Sequence, residues 1–284
     1  MATLAWVDAM KPPLLRSVTL NNGVTMPILG LGVYLSPPGE ASREAVKSAL
    51  ELGYRHVDTA RAYGNERDVA AGIAESGVPR GEVFVTTKLW NSDQGYDSAL
   101  RAFEQSEARL GGARIDLYLI HFPVERVRRE SWRALTRLHE EGRVRAVGVS
   151  NYTVRHLKEL LGESPAVPAV NQVEFHPFLF QKELLAFCRS HLIQLEAYAP
   201  LVKAQRMEHP VIRRIAAAHD RTPAQVLVRW CIEHEVVVIP KSIRRERIEE
   251  NAQVFDFALS PEEVGALDAL DEGFRTSWDP TSVP

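Results

Sequence analysis

Short apolar runs alternate with charged, amphipathic stretches along almost the whole chain. The apolar runs are rich in Val, Ile, Leu and Tyr, and eight occur in order: MPILGLGVY, RHVDTA, VFVTTKLW, IDLYLIHF, VRAVGVSN, AVNQVEF, QLEAYAPL and EVVVIP. Between them lie stretches such as YDSALRAFEQSEARLG, in which Leu100, Phe103 and Leu110 fall near helical spacing. Strands that alternate with helices pair in parallel and are buried on both faces. The alternation therefore predicts an α/β protein.

The number of units predicts how the strands are arranged. Eight strand–helix units follow one another with no Gly-, Ser- or Pro-rich linker between any two, in a chain of 284 residues. A closed (β/α)8 barrel typically has about 250 residues. We therefore predict one domain over residues 1–284, a single (β/α)8 TIM barrel. Residues 14–259 form an N-terminal β-hairpin and the barrel, and residues 260–284 form a C-terminal helix and tail.

The segment ahead of the first unit predicts a cap on the barrel. In SVTLNNGVTMP, Asn22-Gly23 stands between apolar pairs, which is typical of a tight hairpin turn. We expect this hairpin to cover the barrel bottom. The alternative architecture is an open doubly wound sheet, but its usual glycine fingerprint is missing. The nearest candidate, Gly30-Leu31-Gly32, has Leu35 where a third glycine belongs.

Composition excludes several classes of partner. The chain is 45% hydrophobic and 25% charged, with a net charge of −3, so we expect no nucleic-acid partner and no attraction to an anionic membrane surface. No apolar run approaches the roughly 20 residues that span a bilayer. The N-terminus MATLAWVDAMKPPLL lacks a basic segment followed by an apolar one, so we expect no signal peptide. The two cysteines, Cys188 and Cys231, fall in helical stretches, which favours a reducing cytoplasm over a disulfide.

Polar side chains follow the apolar runs at the point where the strands end. In a (β/α)8 barrel, function collects at the carboxyl ends of the strands, which meet at one face. We expect seven successive strands, the second to the eighth, to end on polar residues: Asp58, Lys88, His121, Ser150 with Asn151, Gln172, Tyr198 and Lys241. These side chains should face one another across the barrel mouth, with Tyr63 in the loop after Asp58.

The chemistry of four of these residues indicates proton donation to an oxygen. A tyrosine titrates near pKa ~10, and a nearby ammonium stabilises its phenolate. We therefore expect Lys88, held by Asp58, to lower the pKa of Tyr63, and His121 to donate a hydrogen bond to a carbonyl oxygen. The chain has no nucleophilic Ser or Cys motif, so the charge on that oxygen would come from a hydride. The site therefore predicts a reduced cofactor.

Basic residues crowd the last strand–helix junction. Lys241, Arg244, Arg245 and Arg247 lie at the start of a predicted helix, where the helix dipole disfavours cations. Glu246 and Glu249 offset part of this charge. A bound phosphate would offset the rest, and barrels of this type often bind phosphate after strands seven and eight.

Seven ordered segments resemble those of the aldo-keto reductase family. They are GYRHVDTARAYGNE, VTTKLWNSDQGY, IDLYLIHFP, VRAVGVSN, VNQVEFHP, AYAPL and IPKSIRRERIEEN, within a match that runs from about Val18 to the tail. The resemblance implies a (β/α)8 barrel that reduces aldehydes and ketones with NADPH. It makes Tyr63 the general acid, Asp58 and Lys88 its tuning pair, and His121 the group that orients the carbonyl.

The resemblance also implies binding residues. Ser150, Asn151 and Gln172 would hold the nicotinamide carboxamide, and Tyr198 would stack on its ring. The 2′-phosphate and the adenine would be bound by Lys241, Ser242, Arg247, Glu250 and Asn251. The remaining implied cofactor contacts are Pro200, Leu201 and Ile239, and the implied substrate contacts are Tyr34, Trp90, Phe122 and Trp278.

The chain departs from the family pattern mainly on the substrate side. Phe122 stands where many bacterial members have Trp, Tyr34 fills a position that is often Trp or Phe, and the loop VERVRRE is short. Ala70 replaces a usual Gly, which we interpret as a helix-packing difference. The resemblance therefore does not predict which carbonyl compound is the substrate.

Other interpretations of these residues remain open. Asp58 and Lys88 could be a structural ion pair, and Trp90 and Trp278 could serve packing. His56, on the same strand face as Asp58, is expected to be a hydrogen-bonded interior residue, because no paired His, Cys or Glu spacing completes a metal site. The alternative functions are a non-catalytic NADPH-binding barrel and a class I aldolase with Lys88 as the Schiff-base lysine. The reductase interpretation implies a small-molecule carbonyl partner, no metal and a monomer.

Overall fold

Eight parallel strands form a closed barrel in the computed structural model, which describes residues 6–7 and 13–284. A small antiparallel sheet precedes the barrel and consists of β1 (Trp6–Val7), β2 (Ser17–Thr19) and β3 (Thr25–Pro27). The barrel strands are β4 (Leu31–Gly32), β5 (His56–Asp58), β6 (Phe84–Leu89), β7 (Ile115–Ile120), β8 (Val144–Ser150), β9 (Val170–Glu174), β10 (Gln194–Tyr198) and β11 (Val237–Val238). Each strand pairs with the next in chain order.

Helices lie between the strands and after the last one. They are α1 (Glu40–Glu51), α2 (Glu66–Glu75), α3 (Tyr96–Arg109), α4 (Arg128–Glu140), α5 (Val154–Glu163), α6 (Lys182–Ser190), α7 (Pro210–Ala218), α8 (Pro223–Glu233), α9 (Arg245–Ala252) and α10 (Pro261–Asp268). One α-helix follows each barrel strand, except that two follow β10 and two follow β11. The predicted strand–helix alternation and the C-terminal helix are confirmed.

The first and last strands close the barrel through two parallel bridges, one of which involves a glycine. Parallel bridges join Leu29 to Val238 and Gly32 to Lys241, so the sheet has no free edge, and the doubly wound alternative is wrong. A Cβ on Gly32 would lie 2.8 Å from the carbonyl oxygen of Ile239, which is too close for any side chain. Closure therefore depends on this glycine.

The N-terminal hairpin closes the barrel bottom, as predicted. Asn21 and Asn22 donate side-chain hydrogen bonds of 3.0 Å to the carbonyl oxygens of Pro168 and Arg145, which lie at the starts of β9 and β8. The hairpin's apolar residues pack against inward-facing barrel residues in one buried cluster, which includes Val18, Leu20, Met26, Ile28, Leu117, Leu119 and Val170. The turn has three residues rather than two, and it ends at Gly23 with φ 81°. The pairing of β1 with β2 was not predicted.

Both cysteines of the chain lie in helices. Cys188 in α6 and Cys231 in α8 are free thiols, and both are fully buried. None of the helices in the described residues is long and apolar enough to cross a membrane. The N-terminal segment that bears on the signal-peptide prediction lies largely outside the described residues.

Candidate active site

A cavity of about 320 Å³ opens at the carboxyl ends of the barrel strands. Most of the predicted residues line it: Asp58, Tyr63 and His121; Ser150, Asn151, Gln172, Tyr198, Pro200, Leu201, Ile239 and Lys241; and Tyr34 and Trp278. Lys88, Trp90, Phe122, Ser242, Arg247, Glu250 and Asn251 do not belong to this lining. Five further residues do, and the sequence did not single them out as contacts: Gly32, Leu35, Ala199, Lys203 and Ser277.

The strand ends differ slightly from the prediction. Asp58, Ser150 and Tyr198 end their strands, and His121 follows β7 directly. Strand β9, however, continues past Gln172 to Glu174, and β11 ends three residues before Lys241. The polar residues still meet at one face because the barrel strands are all parallel.

Lys88 is the centre of the predicted catalytic cluster. Its side chain is fully buried, and its Nζ donates to both carboxylate oxygens of Asp58 at 2.7 and 2.8 Å and to the carbonyl oxygen of Thr59 at 2.9 Å. It also donates to the Tyr63 hydroxyl at 3.3 Å. An ammonium can only donate, so Tyr63 Oη accepts in this contact, and its own proton is left for another acceptor.

This geometry argues against the aldolase alternative. A Schiff-base lysine needs an uncharged amine that reaches the substrate. The Nζ of Lys88 is instead surrounded by an anion and two further acceptors, and Lys88 does not line the cavity.

The prediction that Lys88 lowers the pKa of Tyr63 is wrong for this arrangement. Burial raises the pKa of Tyr63 well above its ordinary value, and the negative charge of Asp58 raises it further. Asp58 neutralises Lys88 through two short hydrogen bonds, so little positive charge remains to stabilise a phenolate. Tyr63 is therefore protonated across the neutral range, which is the form that a proton donor needs.

His121 faces Tyr63 across the cavity. The two rings lie edge to face with centroids 5.7 Å apart. Burial lowers the pKa of His121 well below its ordinary value, and the positive charge of Lys88 lowers it further. The imidazole is therefore neutral at pH 7, and it can donate one hydrogen bond without carrying charge.

Asn65 and Glu66, shortly after Tyr63, hold the segment that carries the tyrosine. The sequence analysis did not predict this role. Asn65 accepts from the Thr59 hydroxyl at 2.7 Å and donates to the carbonyl oxygen of Val33 at 3.1 Å. Glu66 is buried, and its carboxylate accepts from the Thr87 hydroxyl and from Arg109. The signal was visible in GNE, where an amide and a carboxylate stand two and three positions after the tyrosine.

A second buried carboxyl lies behind the cluster. The amide nitrogen of Gln172 donates to Asp58 and to Glu196, both at 2.8 Å. Burial and the neighbouring Asp58 raise the pKa of Glu196 to about 8, so the two carboxyls do not both carry full charge at pH 7. His56 lies 3.2 Å from the Thr86 hydroxyl and 3.6 Å from Glu196. It is a hydrogen-bonded interior residue, as predicted.

The residues predicted to hold the nicotinamide end are linked to one another. Tyr198 donates to the Asn151 side-chain oxygen at 2.8 Å, and Asn151 donates to the carbonyl oxygen of His121 at 2.9 Å. Ser150 donates to the backbone of Gln172 at 2.8 Å. Asn151 has φ 64°, a left-handed conformation that Asn tolerates better than most residues. This network fixes the wall of the cavity opposite Tyr63.

The predicted phosphate-binding residues lie around the start of α9. Arg245 pairs with Glu51 at 2.6 Å, whereas within the described residues no carboxylate lies within 4.0 Å of Arg244 or Arg247. Lys241 lines the cavity, and partial burial lowers its pKa. An anion bound among these cations would raise the pKa of Lys241 again. It would also offset the unfavourable interaction of the cations with the helix dipole.

The other predicted residues of this group have different surroundings. The Ser242 hydroxyl accepts from the backbone N–H of Arg244 at 3.1 Å, which shapes the turn into α9. The Glu250 carboxylate accepts from Thr222 ahead of α8 at 2.5 Å. Asn251 is buried. Contact of these three with the adenosine part of a cofactor stays a prediction.

The predicted substrate residues form an aromatic group. The ring of Trp278 lies 5.7 Å from that of Trp90, 5.6 Å from that of His121 and 6.0 Å from that of Phe122. Trp90 and Phe122 therefore support Trp278 from behind, while Trp278 and Tyr34 reach the cavity itself. In the part of the chain that the structure describes, no three His, Cys, Asp or Glu side chains are grouped to hold a metal ion.

The mouth of the closed parallel barrel thus brings together a phenol, an ammonium, a carboxylate and an imidazole. The sequence profile of the aldo/keto reductase family matches residues 29–272 of this chain. The chain therefore belongs to the aldo/keto reductase family, and the resemblance found in the sequence is confirmed.

Individual relatives cover nearly the whole chain. Glyoxal reductase of Bacillus subtilis (strain 168) is 49% identical over 274 residues, which are 96% of this chain and 99% of that protein. The crystal structure of an aldo-keto reductase from a Medee basin deep-sea metagenome library is 46% identical, with a TM-score of 0.90 over 94% of this chain and 99% of the other. A Bombyx mori aldo-keto reductase solved in complex with NADP is 36% identical, with a TM-score of 0.87 over 91% and 94% of the two chains.

Proposed function

We propose that this protein reduces the carbonyl group of aldehydes or ketones to an alcohol with NADPH, and that Tyr63 is the general acid. The observation that carries the proposal is the contact between Lys88 and Tyr63. Lys88 donates to the Tyr63 oxygen, so the phenolic proton is free to point into the cavity that Tyr63 lines.

The residues of the cavity fit the proposed cofactor. Both hydrogens of the Gln172 amide are used by carboxyls, which leaves its oxygen to accept from a carboxamide N–H. Arg247 and Arg244 supply cationic donors that have no carboxylate partner among the described residues, which suits a 2′-phosphate. When bound, NADPH supplies the hydride that is added to the carbonyl carbon. The relative that was solved with NADP supports this choice.

Each catalytic residue then has one task. Neutral His121 orients the carbonyl oxygen with a hydrogen bond, and Tyr63 donates its proton to that oxygen as negative charge develops. An alkoxide is a stronger base than a phenolate, so a phenol with a raised pKa still transfers its proton. Lys88 and Asp58 hold the tyrosine oxygen and limit the charge that the buried site must accommodate.

The cavity mouth favours carbonyl compounds with an apolar body. Tyr34, Leu35 and Trp278 are 39%, 66% and 41% exposed there, although all three are apolar or aromatic. We propose broad use of small carbonyl compounds, including aromatic aldehydes, α-dicarbonyls and keto sugars, and we expect the apolar mouth to favour the aromatic aldehydes among them. The similarity to a glyoxal reductase supports the inclusion of α-dicarbonyls.

An NADPH-oxidation assay tests the proposal. Purified protein is assayed with a panel of aromatic aldehydes, α-dicarbonyls and keto sugars, before and after dialysis against a strong chelator. We expect turnover with several of them and no loss after chelation, because the cluster itself supplies the electrophile. Activity restored by zinc or magnesium would contradict the role given to Tyr63 and His121. NADPH binding without turnover on any compound would support the non-catalytic alternative.

A further inference from the structure

The C-terminal tail crosses the substrate side of the cavity. Beyond α10 the chain places Ser277 and Trp278 in the cavity lining. The ring of Trp278 packs against Trp90 and Phe122 on one side, while the residue as a whole is 41% exposed. Aromatic packing against these rings and against His121 therefore leaves part of Trp278 uncovered at the mouth.

A buried carboxylate holds the tail next to this ring. Glu174, the last residue of β9, is 1% exposed. Its carboxylate accepts from the Thr276 backbone N–H at 2.7 Å, the Thr276 hydroxyl at 2.5 Å and the Ser277 backbone N–H at 3.1 Å. The fourth donor is His176 at 3.2 Å. Three of the four hydrogen bonds thus come from the two residues just before Trp278.

Thr276 is also held from its other side. Lys203, in the loop after β10, donates from Nζ to the Thr276 carbonyl oxygen at 2.5 Å. Burial by itself would raise the pKa of Glu174, but the hydrogen bonds from His176 and Thr276 hold it below its ordinary value. The anchor is therefore an ionised carboxylate at neutral pH, and its bonds to the tail are charge-assisted.

We infer that Glu174 is a positioning residue that fixes Trp278 at the cavity mouth and thereby sets the preference of the enzyme for bulky carbonyl compounds. The inference rests on the proposed function, because it takes Trp278 to contact the substrate. Glu174 itself lies outside the cavity lining and acts through the tail. The KM for a small dicarbonyl that does not reach Trp278 should not depend on Glu174.

A double-mutant cycle of Glu174→Gln and Trp278→Ala tests the inference. Glu174→Gln should raise the KM for a bulky aromatic aldehyde about tenfold, within the range of couplings found within one hydrogen-bond network. The KM for glyoxal and the Kd for NADPH should stay within about twofold. In a Trp278→Ala background, Glu174→Gln should have no further effect. Glu183→Gln, on the exposed face of α6, is the control with the same change of charge.

Two further measurements keep the outcomes distinct. Hydrogen exchange at the Thr276 and Ser277 amides should speed up in Glu174→Gln and not in Glu183→Gln, and this readout does not need activity. Thr276→Val removes one hydrogen bond and serves if Glu174→Gln does not fold. Equal losses on both substrates, or the same loss without Trp278, would overturn the inference. An unaltered protein with no turnover would overturn the proposed function, while exchange at the two amides would still decide the anchor.

Discussion

Tyr63 is the residue whose chemistry differs most from the sequence prediction. The Lys88 ammonium lies 3.3 Å from the Tyr63 oxygen, which suggests a lowered pKa for the phenol. The same ammonium, however, donates two short hydrogen bonds to the Asp58 carboxylate. The net charge beside Tyr63 is therefore close to zero, and burial decides the direction of the shift. In the proposed mechanism Lys88 orients the phenol, because it donates to the Tyr63 oxygen and leaves the phenolic proton free.

Replacement of Tyr63 by Phe should separate proton donation from binding. The variant keeps the ring and loses the only atom that donates, so the Kd for NADPH should stay unchanged. Turnover should fall by roughly 10²–10⁴-fold, the usual contribution of a positioned general acid. Steady-state kinetics with an aromatic aldehyde and a fluorescence titration with NADPH measure the two quantities. If the variant kept more than about a tenth of the original kcat, His121 would become the candidate acid.

Single residues also show what the sequence could not predict. The polar strand ends were predictable, because each follows an apolar run. Glu174 was not, because its partner Thr276 lies 102 positions further along the chain. Leu35 and Lys203 reach the cavity from left-handed conformations, with φ 57° and 47°, which no local pattern of these residue types indicates.

Among the elements, α9 carries the most specific expectation. The dipole at its start disfavours the cations gathered there, and Arg247 has no carboxylate partner among the described residues. The same helix offers a matched control, because Arg245 is already paired with Glu51. A phosphate site at this end of the helix should therefore need Arg247 and tolerate loss of Arg245.

Arg247→Ala should weaken NADPH selectively. A charge-assisted hydrogen bond contributes about 1.5–3 kcal/mol. Its loss should raise the KM for NADPH by roughly 10–150-fold, since 1.4 kcal/mol is a factor of ten. The KM for NADH, which lacks the phosphate, should change little, and Arg245→Ala should change neither. Equal losses with both cofactors in steady-state kinetics would show that the phosphate lies elsewhere.

Most elements were predictable and a few were not, for a physical reason. The barrel strands are buried at every position except Arg145 and Tyr198, which are half-buried, and they lie within runs rich in apolar residues. The hairpin has its Asn-Gly signal, although the turn is one residue longer than expected. Strand β1 has only two residues, and its pairing with β2 depends on a contact that no sequence period reports.

At the scale of the whole molecule, two buried histidines couple stability to pH. Burial lowers the pKa of His56 to about 3 and that of His121 well below 6.5. In the unfolded chain a histidine titrates near ~6.5. The unfolded state therefore binds more protons below that pH, and the stability present above pH ~6.5 is lost as the pH falls towards 3.

The contribution of His56 to this loss of stability can be measured. Between pH 7 and pH 5 the neutral His56 should lower the free energy of unfolding by about 2 kcal/mol, at 1.36 kcal/mol per pKa unit, while Glu196, with its pKa raised to about 8, should offset part of the total change. Urea denaturation at both pH values measures the change. His56→Asn has no titrating group at this position, so its loss over the same interval should be smaller by about 2 kcal/mol. An unchanged loss would mean that His56 is not held neutral by the fold.

The two buried thiols can report how often the folded protein opens locally. Cys188 and Cys231 are fully buried in helices on the second half of the barrel, and burial raises the pKa of both, so the native protein offers a labelling reagent neither access nor thiolate. Modification must wait until α6 or α8 opens. The rate at which each cysteine is alkylated therefore reports the opening free energy of its own helix, and equal rates at the two positions would mean that this half of the barrel opens as one unit.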